Sequence, residues 1–325
     1  MQGRGVLSGE LGARVRPAAL KAGARLAVVS PASVAKAELV RAGVERMQAM
    51  GYEAVTMPSA LARGPLYYAG TVEERVRDLH AAFADETVDG IVCTRGGWGS
   101  AELLPHLDAG LVRANAKAFV GYSDHTSLHI WMAQEAGLAT FHGPMVAADF
   151  AREGGVDEAS WAHALGGNAG WRLGAGDGMR VLREGAAEGV LAGGCLSIVV
   201  ESLGTAYAMR RASEQEPRIL FLEDVGVKPY QWDRMLLHLR YAGMLEGVAG
   251  IVFGDMTKCV AAEEMALLEG ALLHALRDFE GPIAMGLRSG HVGGANVTLP
   301  LGVRVRVSLS RAEGPRMEIV AGAVV

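Results

Sequence analysis

The sequence predicts an α/β protein built on parallel sheets and divided into two domains. Three observations predict it. Short apolar runs alternate with longer segments of helical periodicity, and several runs are apolar at nearly every position rather than at alternate ones. The chain also has 325 residues, 50% of them hydrophobic, ample for a large core and more than one domain ordinarily holds. A strand apolar on both faces is one covered on both faces, as the crossover helices of a parallel sheet cover it. Ligand chemistry in such sheets gathers beyond the carboxyl ends of the strands.

Residues 1–16 hold arginines and glycines without the apolar stretch and cleavage site of a secretory signal, and read as a flexible extension. Residues 17–150 read as the first domain. Its first strand, from Arg25, stops at the Ser30-Pro31 turn. A helix over Ala35–Met50 follows, closed by Gly51, then a short strand at Glu53–Met57 and a helix over Val72–Phe83 with Val76, Leu79 and Phe83 on one face. The strand Val88–Thr94 runs into Arg95-Gly96-Gly97-Trp98-Gly99-Ser100, where three glycines in four positions let backbone N–H groups approach a ligand. The apolar run from Ala118 to Gly121 reads as a buried strand and Thr126–Glu135 as a helix, so Ser123 falls at a strand-to-helix turn. A passage around Phe141–Met145 ends the domain.

Residues 151–179, rich in Gly and Ala, read as an irregular connecting region. The second domain, 180–325, opens with short apolar pieces over Arg180–Gly194 and a helix over Cys195–Leu203. Arg218–Asp224 is a buried strand ending in Glu223 and Asp224. Then come a helix over Tyr230–Tyr241, a strand at Val248–Phe253, a helix over Ala262–Leu276, and a strand at Pro282–Leu287 leading into Arg288-Ser289-Gly290-His291-Val292-Gly293-Gly294. Val297–Leu301, Val303–Leu309 and Met317–Val320 alternate as antiparallel strands do.

Composition narrows the function classes. Net charge is −5 with both signs interspersed and no basic block, which argues against nucleic acid as a partner. Cys93, Cys195 and Cys259 lie far apart without metal-ligand spacing, so neither a zinc site nor a disulfide framework is expected, and a reducing, cytoplasmic setting is. No run is long enough for a membrane-spanning helix. A peptide or small molecule is the expected partner, with no metal and no cofactor.

Acyl transfer needs a nucleophile, a base, a carboxylate to orient that base, and donors for an oxyanion. Ser123 sits where a nucleophile elbow places its hydroxyl, although His125 stands where the second glycine of G-x-S-x-G belongs, and a serine at such a turn also serves as an ordinary helix cap. Five of the nine histidines, His80, His129, His163, His238 and His274, read as helix residues with no evident task. His291 lies among glycines in a loop after a strand, free to reach a pocket. Of the pair closing the 218–224 strand, one is expected to face the sheet's functional edge and the other to cap the next helix, a role that suits Asp224.

The segments VVSPAS, DGIVCTRGGWGSAELLPHLD, KAFVGYSDHTSLH, FHGPM, LAGGCLS, ILFLEDVGVKPYQWDRML, AGIVFGD and GHVGGANVTLPLG together resemble the LD-carboxypeptidase family, the S66 serine peptidases, from about Arg16 to about Val320. The resemblance implies an N-terminal flavodoxin-like parallel-sheet domain, a C-terminal swivelling β/α/β domain, and a homodimer. It implies a triad of Ser123 from GYSD, Glu223 from FLED and His291 from GHVGG, and so settles the choice between Glu223 and Asp224. By that analogy the backbone N–H groups of Asp124 and Gly97 form the oxyanion hole. Trp98 stands where the family commonly has tyrosine, and its ring either walls the pocket or packs in the core. A free C-terminal carboxylate calls for a cation near the elbow, which Arg95 offers, although an arginine beside a glycine loop can equally be structural; Arg95, Gly96 and Trp98 are the candidate substrate contacts. The implied substrate is a murein tetrapeptide, cut at the L,D-bond to its terminal D-alanine. A second activity within the family is cleavage of peptidyl-nucleotides of the microcin C type; Trp161 or Trp171 could stack on a nucleobase, although a tryptophan in a connecting segment is more often packed. The rival from another class is a non-catalytic two-domain protein that holds an anion between Ser123 and the glycine loop.

Overall fold

The structure, a computed structural model, describes residues 14–256 and 258–325. Two sheets organise it. The first contains β1 (Arg25–Val29), β2 (Glu53–Thr56), β3 (Gly90–Cys93), β4 (Ala118–Gly121) and β5 (Thr140–His142), all parallel. The crossovers carry α1 (Ala37–Ala49), α2 (Val72–Ala84), α3 (Ala109–Ala114) and α4 (Thr126–Trp131). The order β2-β1-β3-β4-β5 is that of a flavodoxin-like sheet, in which the chain reverses direction of travel between β1 and β3. β3 and β4 are buried at every position, which is why their sequences carry no alternation. Thr71 and Glu74 form a reciprocal capping box that starts α2.

The second sheet is built from residues further along: α5 (Glu158–Leu165) precedes β6 (Arg172–Gly174), β7 (Arg180–Arg183), β8 (Gly185–Cys195), α6 (Leu196–Glu201), β9 (Arg218–Glu223), α7 (Pro229–Tyr241), β10 (Val248–Gly254), α8 (Met265–Ala275) and β11 (Ile283–Leu287). β8, β9, β10 and β11 form its parallel core. Of the last three strands, β13 (Arg304–Ser310) and β14 (Gly314–Ile319) extend this sheet antiparallel, whereas β12 (Leu299–Leu301) returns to the first sheet and pairs antiparallel with β5. A single hydrophobic cluster takes in Val120 and Phe141 from one sheet, Leu191 and Phe221 from the other, and Leu299 between them.

Several expectations are corrected. The 151–179 stretch is not irregular: Asp157 caps α5 by accepting from Ser160 N–H at 2.8 Å, and β6 pairs with β14. Of the two readings of Trp161 and Trp171, packing holds: they are 1% and 9% exposed, the first packed edge-on against Phe150 and the second stacked on His163, so neither ring is free to receive a base. Residues 185–195 form one eleven-residue strand, although GAAEGVLAGGC has little intrinsic strand preference, because β9 and β13 pair with it on both sides. The glycine pair ends that strand instead of opening a helix. A Cβ on Gly194 would lie 2.5 Å from Thr126 Oγ1, and Cys195 N–H donates to that oxygen at 3.0 Å, so the pair lets β8 dock on the start of α4. Of the expected extension, residues 1–13 lie outside the described residues. Val15 is held by backbone hydrogen bonds to Gly137 and Ala139 and is part of the fold. Among the described residues no helix is long and apolar enough to cross a membrane.

Candidate active site

Three strands end at one place. β4 delivers Ser123, β9 delivers Glu223, and β11 leads into the loop that carries His291. Ser123 has φ +65°, one of two described non-glycine residues with positive φ, and begins a tight turn before α4. Such a conformation is strained for an L-residue and projects the side chain off the sheet edge, as a nucleophile elbow does. His125, in place of the second glycine, is fully buried and packs over Gly121, where a Cβ would lie 2.7 Å from its Nδ1. Burial holds His125 to a pKa of about 3, so it is neutral.

Ser123 Oγ lies 3.0 Å from His291 Nε2, and His291 Nδ1 lies 2.7 Å from Glu223 Oε2. The His291 backbone N–H also donates to Oε2, at 3.0 Å. An ionised carboxylate only accepts hydrogen bonds, so Nδ1 carries the ring proton and the Nε2 lone pair faces the serine hydroxyl. Glu223 is fully buried, and burial alone would raise its pKa. The charge and hydrogen bonds of His291, with a contribution from His142, more than offset this and keep it low. Burial likewise opposes charge on His291, but the Glu223 carboxylate and its hydrogen bond, helped by Asp224, hold its pKa above the ordinary histidine value. Tyr122 meets the His291 ring edge to face, centroids 5.1 Å apart.

Asp224, adjacent to Glu223, points elsewhere. Its two oxygens accept from Ser197 N–H and Val225 N–H, each at 2.8 Å. It caps α6, a helix that precedes it in sequence, and not the helix that follows.

The glycine loop after β3 reaches Ser123. A Cβ on Gly96 would lie 2.8 Å from Ser123 Cβ and 3.2 Å from the Asp124 backbone nitrogen, so Gly96 is the residue whose missing side chain permits the approach; Gly97, at φ +97°, makes the turn beside it. The loop is held from three directions: Trp98 N–H donates to Ser33 Oγ at 3.0 Å, Ser100 N–H donates to Asp124 Oδ2 at 2.8 Å, and Arg75 donates to Pro31 O and Gly99 O at 3.1 and 2.9 Å. Arg75 is 1% exposed and lies over the Tyr68 ring. Sequence reasoning missed it because a single arginine on a helix reads as solvated. It also missed Arg152, whose guanidinium pins the His291 loop through Gly293 O and Gly294 O at 2.5 and 2.8 Å, and Lys258, whose charge tempers the rise in the His291 pKa.

Arg95 is exposed, its guanidinium donating to Val34 O at 3.3 Å. Trp98 is 38% exposed and does not pack into the core. It walls a cleft of about 250 Å³ beside the elbow, shared with Leu104, Asp124, Ile198, Glu201 and Tyr207.

A hydroxyl, an imidazole and a buried carboxylate in hydrogen-bonding sequence, at the carboxyl edge of an α/β sheet and beside a backbone-lined loop, are the equipment of a serine-type hydrolase. Sequence profiles described as the LD-carboxypeptidase N-terminal and C-terminal domains match residues 26–143 and 188–307. The chain belongs to the LD-carboxypeptidase family, peptidase S66. A relative from Bacillus subtilis named as a probable murein peptide carboxypeptidase is 31% identical over 310 residues, 93% of this chain and 94% of that one. The murein tetrapeptide carboxypeptidase of Pseudomonas aeruginosa is 31% identical over 300 residues, 86% and 91% of the two chains. The microcin C7 self-immunity protein MccF superposes with a TM-score of 0.86 at 22% identity, covering 96% of this chain and all of that one (100%), a likeness of fold.

Proposed function

We propose that the protein is a serine carboxypeptidase that hydrolyses the L,D-peptide bond to the terminal D-alanine of murein tetrapeptides, acting in cell-wall recycling. The observation that carries the reading is the chain of contacts from Ser123 through His291 to Glu223 at 3.0 and 2.7 Å, taken with the family. His291 accepts the Ser123 proton as Oγ attacks the peptide carbonyl; the oxyanion is met by the backbone N–H groups of Asp124 and Gly97; His291 then protonates the departing amine. Water, activated by the same imidazole, releases the acid from the acyl-enzyme. The test is D-alanine release from a panel of muropeptides by purified protein. A peptidyl-adenylate serves as the second substrate, because a protein acting on microcin C-type compounds would turn over that one alone. The reading extends to a cytoplasmic homodimer, which sedimentation of the purified protein checks.

The base must be neutral to act, and its pKa is raised by Glu223. Activity is therefore lost as pH falls through a value above the ordinary histidine figure of about 6.5. In a Glu223→Gln variant the acid limb of kcat/KM is expected to move to lower pH while kcat drops. A limb that stays in place would remove Glu223 from this role.

A carboxypeptidase must also recognise a free carboxylate. Arg95, exposed beside the glycine loop and donating to the Val34 backbone carbonyl at 3.3 Å, is the cation offered for it. A charge-assisted hydrogen bond contributes about 1.5–3 kcal/mol, so Arg95→Ala is expected to raise KM by roughly 10- to 100-fold with kcat nearly kept. An unchanged KM would move the assignment to another cation, with Lys258 next in line.

A further inference from the structure

The triad leaves half of its carboxylate unused. Glu223 Oε2 takes both hydrogen bonds from His291, while Oε1, equally buried, has no hydrogen-bond partner among the described residues. Facing it is His142, the last residue of β5, itself 0% exposed and, among the described residues, without a hydrogen-bond partner at either ring nitrogen. Its Nε2 lies 3.8 Å from Oε1, longer than a hydrogen bond by less than an ångström. Two buried polar atoms that each lack a partner among the described residues, one an obligate acceptor and the other able to donate, stand 3.8 Å apart. Buried polar groups in folded proteins are almost always paired, and exceptions call for an explanation.

The surroundings restrict what else can serve Oε1. Phe221 meets the His142 ring edge-on at 5.1 Å between centroids, Tyr122 lies at 5.8 Å and His129 at 6.4 Å. Gly290 and Gly254 close the other side; a Cβ on either would overlap the Glu223 side chain, at 2.4 Å from Cδ and 2.6 Å from Cβ. The carboxylate thus sits between glycine backbone and an aromatic wall, and the imidazole in that wall is the group placed to hold its free oxygen. His142 is neutral: burial lowers its pKa to about 4 although Glu223 pulls the other way. A neutral ring can carry its proton on Nε2 and donate without adding a charge.

We infer that His142 is a positioning residue for Glu223, its Nε2–H closing on Oε1 so that Oε2 stays turned toward His291. The inference rests on the reading of Glu223 as the orienting carboxylate. The donor does two things. It stops the carboxylate from rotating about its terminal bond, which would carry Oε2 away from Nδ1. It also stabilises the anion, so that the carboxylate raises the basicity of His291 less than a bare one would. The charged and titratable groups bearing on this pair are His291, Asp224, His125, His129, Tyr122, Cys195 and Cys259, with Lys258 acting through His291.

The test compares the full-length wild type with His142→Phe, which fills the aromatic wall but cannot donate, and His142→Gln, which restores a donor of similar reach. The readout is the rate at which a fluorophosphonate labels Ser123 as a function of pH, which reports the basicity of His291 without a peptide substrate; thermal melting is followed in parallel. His142→Phe is expected to label roughly 10- to 100-fold more slowly at its optimum, the range typical of losing a supporting hydrogen bond to an active group. Its acid limb should move from that of the wild type, upward where the bared anion dominates and downward where Oε2 swings from Nδ1, and His142→Gln should restore both the limb and most of the rate. Wild-type rate and limb in His142→Phe would overturn the inference alone. Equal slowing in both variants, with the limb unmoved, would assign His142 to packing and overturn it as well. A wild type that is not labelled at all would overturn the triad reading, and this inference with it.

Discussion

Ser123→Ala is expected to abolish D-alanine release, lowering kcat by roughly 10⁴-fold or more while the protein melts at about the wild-type temperature. The first part follows from chemistry: without Oγ no acyl-enzyme forms, and the remaining oxyanion donors supply only the residual catalysis seen when serine hydrolases lose a triad member. The second follows from structure. Ser123 adopts φ +65° whatever its side chain, and its hydroxyl has His291 Nε2 as its hydrogen-bond partner at the surface of the site. Removing it strands no fully buried donor, so stability should change by well under 1–3 kcal/mol, the cost of an orphaned buried group. His291→Ala should lose activity to a similar extent, and the double variant should be hardly worse than either single one, because residues that act as a unit do not contribute additively. A double variant that loses the product of the two single effects would mean that serine and histidine work independently, contrary to the proposed mechanism. Residual turnover of a few per cent in Ser123→Ala would point to another nucleophile.

The parts of this arrangement that were legible in the sequence share a physical cause. Strands such as Gly90–Cys93 and Ala118–Gly121 are buried on both faces, so their apolar runs stand out, and the turn after each is forced by composition: glycines in one case, a serine before a helix in the other. His291 was legible because Gly290 before it and Gly293 and Gly294 after it mark a loop that follows a strand. What the sequence hid is held by long-range partners. The 185–195 strand is made by its neighbours and not by its own residues, and β12 crosses to the first sheet because Leu299 and Leu301 find His142 and Thr140 there. Trp98, whose sequence position suits core and wall equally, lines the cleft beside the elbow. Arg75 and Arg152 look like surface residues until the carbonyls they hold are seen, more than 20 residues away in one case and more than 100 in the other. His142 is the sharpest example. Within FHGPM it reads as part of a strand, and only the approach of Glu223, 81 positions further on, gives its ring a task.

Gly290→Ala is the substitution with the largest expected effect away from the triad itself, and the reason is spatial. Gly290 has φ +93°, a conformation that L-residues avoid by about 1–2 kcal/mol. A Cβ there would lie 2.4 Å from Glu223 Cδ and 2.5 Å from Oε2, the oxygen that orients His291. One of the two must move. The loop resists, since Gly290 N–H donates to Asn296 Oδ1 at 3.0 Å, Asn296 Nδ2 donates back to Gly290 O at 3.2 Å, and Asn296 is fully buried. The carboxylate is therefore the group displaced, and it has nowhere to go that keeps 2.7 Å to Nδ1. Loss of the orienting carboxylate in a triad of this kind lowers turnover by about 10⁴-fold, so kcat/KM in Gly290→Ala should fall by roughly 10³-fold or more, with the melting temperature reduced by a few degrees. Gly293→Ala supplies the control: it lies three residues away in the same loop, and a Cβ there meets nothing within 4 Å. Its activity should stay within about twofold of wild type. If both variants lose activity alike, the loop tolerates no side chain for some reason other than the carboxylate; if Gly290→Ala keeps its activity, Glu223 does not need the position in which the fold holds it.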